Sequence, residues 1–162
     1  WANLPATHKM MPPRYQDIPS QQIPEVVTND GARVRILCGS FSGVQGPVKD
    51  IIIDPEYLDV TVPASSVYLH PTHRGYTVFI YIIGGSGYTG TENETALSNE
   101  TVVLFEDGDQ VRIATEGDPV RFLLISGKPI REPVAWGGPI VMNTREEVQQ
   151  AFREYEEGTF LK

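Results

Sequence analysis

The sequence predicts an all-β barrel or sandwich followed by one short C-terminal α-helix. Short runs of β-branched and aromatic residues recur through the middle of the chain, and Gly, Pro, Asn and Asp turn signals separate them at roughly regular intervals. The longest apolar run, residues 78–83, follows two histidines and ends at the glycine-rich stretch 84–87. Its length and composition indicate a strand covered on both faces. Near the other end, a helix-start signal at Thr144 precedes a single apolar stripe.

The composition fits one globular domain and narrows the classes of partner. The chain has 162 residues, of which 40% are hydrophobic, and a formal net charge of -8. Its basic residues form no cluster, so we expect no direct binding to nucleic acid, which depends on grouped Lys and Arg. No apolar stretch approaches the roughly 18 residues of a membrane span, so no membrane partner is expected. Cys38 is the only cysteine, which fits a reducing compartment, and we expect a cytoplasmic protein or, in a eukaryote, a nuclear one.

Alternation of apolar and polar residues sets the direction of the side chains in the first two predicted strands. Asp59 faces outward in this pattern, and Cys38 faces inward as a small buried hydrophobe rather than a reactive thiol. The stretch 84–87 is interpreted as a hairpin turn. The predicted strands are residues 32–39, 57–62, 78–83, 101–105, 110–114 and 120–126. The inward residues of the first two are Val34, Ile36, Cys38, Leu58, Val60 and Val62.

The first part of the chain, residues 1–28, is predicted to be an extended arm. Prolines punctuate it up to Pro24. Because proline removes a backbone donor and fixes φ, the arm is neither a helix nor a central strand. We expect it to run over a surface that belongs to this domain or to another one.

A helix of about three turns is predicted at the C-terminal end. Thr144 and Glu147 have the spacing of a capping box, and Gly158 suits the position after the last turn. We expect the apolar stripe of this helix to lie on the outer surface of the barrel, and a partner domain is the alternative. The stripe consists of Val148, Ala151, Phe152 and Tyr155.

Stretches along nearly the whole chain resemble the pirin family. The run EPVAWGGPIVMNTREE at 132–147 resembles the C-terminal signature of that family. WANLPA at 1–6 and PRYQDIP at 13–19 resemble the segment between its two domains, and YLDV at 57–60 resembles the opening of the second domain.

Pirins are two-domain proteins of the cupin fold, so the resemblance implies the domain organisation of this chain. It implies a proline-rich inter-domain arm at 1–28, a cupin double-stranded β-helix barrel at 29–130, and a signature loop with the C-terminal helix at 131–162. The chain is then a fragment that carries the linker and the second cupin. Its first partner would be the N-terminal cupin domain of the same protein, which would precede Trp1, and further protein partners would come second.

The resemblance also implies where the activity of the parent protein lies. In pirins the first cupin holds iron through three histidines and a glutamate and is credited with quercetin-dioxygenase-like chemistry. None of those ligands lies in this chain, so we expect it to hold no catalytic or cofactor-binding residue and not to be an enzyme by itself. The first interpretation is a metal-free supporting domain of an iron-dependent, quercetinase-like dioxygenase. An alternative is a protein-interaction module of the transcription-cofactor type, as in mammalian members.

A cupin metal site needs a His-x-His pair, a later Glu, and a third His on a later strand. Side chains at i and i+2 of a strand point to the same face, which lets both imidazoles reach one ion. Counting back from the glycine-rich stretch, the pair falls on Pro71 and His73, and the Glu falls on Thr77. The third His falls near Pro119 or Val120. One donor of four is retained, so we expect no metal site.

His70 and His73 are the remaining metal candidates. They are three residues apart, so an extended strand would point them to opposite faces, and no carboxylate follows closely. We expect both to be surface or rim side chains. One alternative is an autonomous metalloenzyme that uses this pair. Another is a metal-free barrel that binds a small molecule in a wide, apolar interior.

Overall fold

Antiparallel strands and a single C-terminal α-helix make up the fold, which confirms the predicted fold class. The computed structural model describes residues 1–161. No helix in this part of the chain is long and apolar enough to cross a membrane. The elements are β1 Glu25–Val27, β2 Arg33–Cys38, β3 Ser40–Phe41, β4 Val44–Gln45, β5 Glu56–Val62, β6 Val67–Pro71, β7 Thr77–Gly85, β8 Gly87–Thr89, β9 Thr95–Leu97, β10 Val102–Leu104, β11 Gln110–Ala114, β12 Val120–Gly127, β13 Ala135–Gly137, β14 Ile140–Met142 and α1 Arg145–Glu157.

The chain divides into two compact units, one of which is built from two stretches that are separate in sequence. One unit is Ile18–Pro129, and the other joins Trp1–Asp17 to the residues from Ile130 onward. Residues 1–28, expected as one arm, therefore contribute to both units. Their last part forms strand β1, which pairs with β2.

Two antiparallel sheets share one core in the unit Ile18–Pro129. The larger sheet has the strand order β1-β2-β5-β12-β7-β10, and the smaller has the order β6-β11-β8-β9. Phe122 from the larger sheet and Tyr68 and Ile113 from the smaller one belong to the same buried cluster. Full burial of such side chains stabilises the fold by roughly 1.5–3 kcal/mol each. The predicted inward residues Val34, Ile36, Cys38, Leu58, Val60 and Val62 are all buried.

Strand β7 is covered on one face only, so the expectation of a strand covered on both faces is wrong. Ile80 and Ile82 are fully buried, whereas Tyr81 and Ile83 are 37% exposed. The physical reason is the two-sheet architecture, because each antiparallel sheet turns one face to the shared core and leaves the other uncovered.

The glycine-rich stretch 84–87 joins the end of β7 to the start of β8, and it forms a corner between the two sheets instead of the predicted hairpin turn. β7 pairs with β10 and β12, while β8 pairs with β9 and β11. Gly85 has φ +82°, and a Cβ at this position would collide with the carbonyl group of Pro119. The corner therefore requires glycine, both for its backbone conformation and for the close approach of Pro119, which immediately precedes β12.

Asp59 is buried, although its side chain lies on the face of β5 that the sequence predicted to be solvent-exposed. Arg121 donates from Nε to Asp59 Oδ1 at 2.9 Å and from Nη2 to Oδ2 at 2.7 Å. Arg35 approaches from the other neighbouring strand, with 3.7 Å between its Nη1 and Oδ2. The hydrogen bonds with Asp59 raise the pKa of Arg121. The long arginine side chains cover the carboxylate, which leaves Asp59 only 7% exposed.

The helix α1 packs on the β13–β14 hairpin of its own unit, where the sequence predicted the outer surface of the barrel. Ala151 is buried together with Ile140 and Met142. The predicted capping box is confirmed: Glu147 N donates to Thr144 Oγ1 at 3.2 Å, and Thr144 N donates to Glu147 Oε2 at 2.9 Å. The predicted C-terminal glycine is confirmed at Gly158, which has φ +71°.

Glu132 joins the start of the chain to the C-terminal signature run. Its Oε2 accepts from Ala6 N at 2.8 Å and from Asn143 Nδ2 at 2.9 Å. These hydrogen bonds lower the pKa of the Glu132 carboxyl group. In the same unit, the rings of Trp1 and Trp136 meet edge to face with centroids 6.1 Å apart.

Replacing Asp59 with alanine should lower the free energy of unfolding by about 1–3 kcal/mol, because Arg121 loses a charge-assisted, two-pronged partner. The matched control is Glu25→Ala, which removes a similar but exposed bond to Arg33. That change should cost at most about 1 kcal/mol. Urea denaturation followed by circular dichroism measures both values, and equal losses in the two variants would contradict the importance of burial at Asp59.

The contact between Trp1 and Trp136 should weaken as the solution becomes acidic. Because the folded-state pKa of Glu132 is lower than its unfolded value, its hydrogen bonds stabilise the unit above the ordinary Glu pKa of about 4.3. This contribution is lost as the pH falls through the lower folded value. Near-ultraviolet circular dichroism reports the change, since these are the two tryptophans of the chain. Glu132→Gln cannot ionise and should flatten this transition, and an unchanged pH profile would refute the assignment.

Candidate functional site

Strand β6 directs two polar side chains into the interior of the unit Ile18–Pro129. Exposure alternates along the strand, with Val67 and Leu69 outside and Tyr68 and His70 inside. Side chains two residues apart on a strand share a face, so the tyrosine and the histidine lie next to each other. His70 is only 1% exposed, and the expectation of a surface or rim histidine is wrong at this position.

The His-x-His and Glu positions counted from the metal-site pattern do not lie in the barrel interior. Pro71, His73 and Thr77 are exposed. The two same-face positions near the end of β6 are occupied by Tyr68 and His70 instead.

His73 lies outside the core in that turn, as the sequence predicted. Its ring centroid is 5.0 Å from that of Tyr76. His70 and His73 border the same pocket, but one side chain is inside the core and the other is exposed at the rim.

Glu56 and Ser126 complete a hydrogen-bond network around His70. Glu56 Oε2 lies 2.8 Å from His70 Nε2 and accepts from Ser126 Oγ at 3.2 Å. On the other side of the ring, Tyr68 Oη lies 3.2 Å from His70 Nδ1. Glu56 begins β5 and Ser126 stands opposite it near the end of β12, so the sheet register brings the carboxylate and the hydroxyl together.

The chemistry of these groups assigns the tautomer of His70. An ionised carboxylate only accepts hydrogen bonds, so His70 Nε2 carries the proton that is shared with Glu56. Nδ1 then accepts from the hydroxyl of Tyr68. Burial, with a smaller contribution from the charge of Glu56, raises the pKa of Tyr68, which keeps this hydroxyl protonated and able to donate. A neutral imidazole therefore satisfies both neighbours.

The β3–β4 hairpin closes one side of the network. Phe41 stacks on the His70 ring with centroids 5.8 Å apart and an interplanar angle of 18°. Gly39, at φ +83°, lets the chain pass close to Glu56, since a Cβ there would lie 3.1 Å from Glu56 Cα. Above these residues lies a pocket of about 580 Å³.

The side chains of this network do not fit a cupin iron site of three histidines and one glutamate. Among residues 1–161, no group of three or more His, Cys, Asp or Glu side chains is arranged to hold a metal ion. His70 and Glu56 are hydrogen-bonded to each other, and Tyr68 occupies the other inward position of β6.

Cys38, which the sequence predicted to be a buried side chain and not a reactive thiol, is buried in the structure. Its Sγ donates to the carbonyl oxygen of Val48 at 3.6 Å, and burial raises the pKa of the thiol. A thiol that is buried and protonated is a poor nucleophile, which agrees with the predicted packing role.

Sequence reasoning missed Glu56, Tyr68 and Ser126. The alternation in VYLHP, residues 67–71, was the signal that could have placed Tyr68 and His70 on one face. No local pattern marks Glu56 or Ser126, because they meet His70 only through the pairing of strands distant in sequence.

Comparisons with known proteins agree with this fold. The sequence pattern of the family described as Pirin C-terminal cupin domain matches residues 57–161. Human pirin is 37% identical, and the match covers 96% of this chain and 53% of pirin. A Thermoplasma acidophilum protein, provisionally named a quercetin 2,3-dioxygenase, is 34% identical over 100% of this chain and 64% of its own length.

A solved structure shows the same architecture. The crystal structure of quercetin 2,3-dioxygenase from Acinetobacter baumannii matches with a TM-score of 0.87 and 26% identity. The match covers 99% of this chain and 55% of that one. The predicted cupin fold is thereby confirmed. The chain spans between half and two thirds of the length of the relatives it matches.

Replacing Tyr68 with phenylalanine should lower the free energy of unfolding by about 1–3 kcal/mol, because the buried Nδ1 of His70 loses its donor. The control is Tyr88→Phe on β8, a half-buried tyrosine that should change stability by less than about 0.5 kcal/mol. Nitrogen-15 NMR of the imidazole should show the Nε2–H tautomer in the unmodified protein. Observation of the Nδ1–H tautomer would contradict the assigned direction of these bonds.

Proposed function

This chain belongs to the pirin family, and from that premise we propose that it is a metal-free C-terminal cupin domain that supports an iron-binding N-terminal cupin domain of the same protein. The observation that carries the proposal is the state of His70. Both of its ring nitrogens have protein partners, Glu56 and Tyr68. No imidazole in the barrel interior is left over for a metal within the part of the chain that the structure describes.

The activity that we propose for the whole protein is an iron-dependent, quercetinase-like oxygenation carried out in the other domain. Support comes from the names of the A. baumannii and T. acidophilum proteins and from their length, because each extends well beyond the part that this chain matches. Iron would supply the activation of oxygen there. The contribution of this chain would be a rigid barrel and a surface on which the other domain rests.

An apolar groove in the C-terminal unit is the surface that we assign to this contact. It has a volume of about 780 Å³ and is bordered by Trp1, Met142, Phe152, Tyr155 and Leu161, among others. Trp1, Tyr155 and Leu161 are 84%, 71% and 70% exposed. Exposed apolar side chains grouped in this way are typical of protein interaction sites, and their burial is favourable by about 25 cal/mol per Å².

A protein-interaction module of the transcription-cofactor type is the second candidate. The same exposed groove favours it, and the net charge of -8 favours protein partners over direct contact with nucleic acid. An autonomous metalloenzyme built on His70 and His73 is not favoured, since His70 Nε2 is bound to Glu56 and His73 is exposed.

Metal analysis by mass spectrometry tests the supporting role. The purified chain should hold less than about a tenth of an equivalent of iron, because two donors make a weak site. The longest protein encoded by the same gene should hold about one equivalent per chain if it contains the proposed N-terminal cupin. Only the longer protein should consume oxygen in the presence of quercetin.

The variant His70→Ala shows which of the two domains holds the iron. It should leave the iron content of the longer protein unchanged, since we place the iron elsewhere. Stoichiometric iron in the purified chain, lost in His70→Ala, would overturn the proposal and favour the autonomous metalloenzyme.

A further inference from the structure

The pocket above His70 has features that a supporting role does not require. Its volume of about 580 Å³ lies within the range of roughly 300–1,000 Å³ that is typical of small-molecule sites. A domain that only supports another one is expected to fill its interior with closely packed apolar side chains. Here Glu56, His70 and Ser126 border the pocket instead, and a hydrogen-bond network holds them in place.

The charge of the pocket limits the class of ligand. Two carboxylates, those of Asp54 and Glu56, belong to its lining, and none of the lining side chains in the described chain is Lys or Arg. The lining also contains two histidines, His70 and His73. An anion would be repelled by this lining, whereas a cation complements it.

The carboxylate of Glu56 contacts its neighbours in the barrel through one of its two oxygens. Its Oε2 interacts with both His70 and Ser126, and its Oε1 is not among the buried side-chain atoms that lack a hydrogen-bond partner. The side chain is 20% exposed and borders the pocket. A cationic N–H group of a ligand would form a charge-assisted hydrogen bond with this carboxylate, and such bonds are roughly twice as strong as neutral ones.

Aromatic rings supply the remaining lining. Phe41 and Tyr76 both border the pocket, and aromatic side chains pack favourably against a ring of a ligand.

We propose that this pocket binds a small organic cation, namely a primary ammonium group on a short arm attached to a ring. The ammonium group donates to Glu56 Oε1 and lies near Asp54, and the ring packs beside Phe41 and Tyr76. This site is independent of the supporting role, because it uses only residues of the unit Ile18–Pro129.

A series of three compounds with one ring and different charges tests the proposal. The probes are 2-phenylethylamine, 2-phenylethanol and phenylacetate, titrated into nitrogen-15-labelled protein and followed by NMR. The amine should shift the resonances of Phe41, His70 and Ser126 and should bind at least about tenfold more tightly than the alcohol, with no binding of the anion. Equal affinity for the amine and the alcohol, or shifts confined to other parts of the molecule, would overturn the proposal.

Single substitutions test which carboxylate of the pocket binds the ammonium group. Glu56→Gln should weaken binding of the amine at least about tenfold, whereas Glu92→Gln, an exposed change with the same effect on net charge, should leave it unchanged. If Glu56→Gln fails to fold, Asp54→Asn serves in its place. Asparagine tolerates the left-handed backbone at this exposed position, and binding should weaken severalfold. Unchanged affinity in the folded pocket variants would refute the proposal.

Discussion

The hydrogen bond between His70 and Glu56 is the constraint that organises the barrel interior. Alternation along β6 forces the imidazole into the core, where an unpaired polar ring would be costly. Glu56 and Tyr68 satisfy its two nitrogens. This pairing explains why the barrel keeps polar side chains in its interior, and why the strand pairing must hold Glu56 opposite Ser126.

Local patterns predicted the elements of this fold well. The alternation of Val34 and Ile36, and the capping box of Thr144 and Glu147, depend on neighbours only a few residues away. In each case the side chain and the backbone group that it meets are close in sequence, so the spacing alone determines the geometry.

Features that depend on strand pairing could not be predicted from local sequence patterns. Asp59 looked solvent-exposed because nothing nearby indicates that Arg121 reaches it from the adjacent strand. The same limitation hid Glu56, which meets His70 across the barrel. The one-sided burial of β7 and the corner at Gly85 follow from the number of sheets and their packing, which an isolated apolar run does not encode.

The edges of the larger sheet bear on how this protein behaves at high concentration. Strands β1 and β10 are three residues long, yet Val102 and Leu104 on β10 are 60% and 68% exposed. Long apolar edges recruit further strands and lead to aggregation. An edge of three residues offers too short a template for stable pairing with another molecule, so its brevity protects a sheet whose edge side chains would otherwise promote self-association.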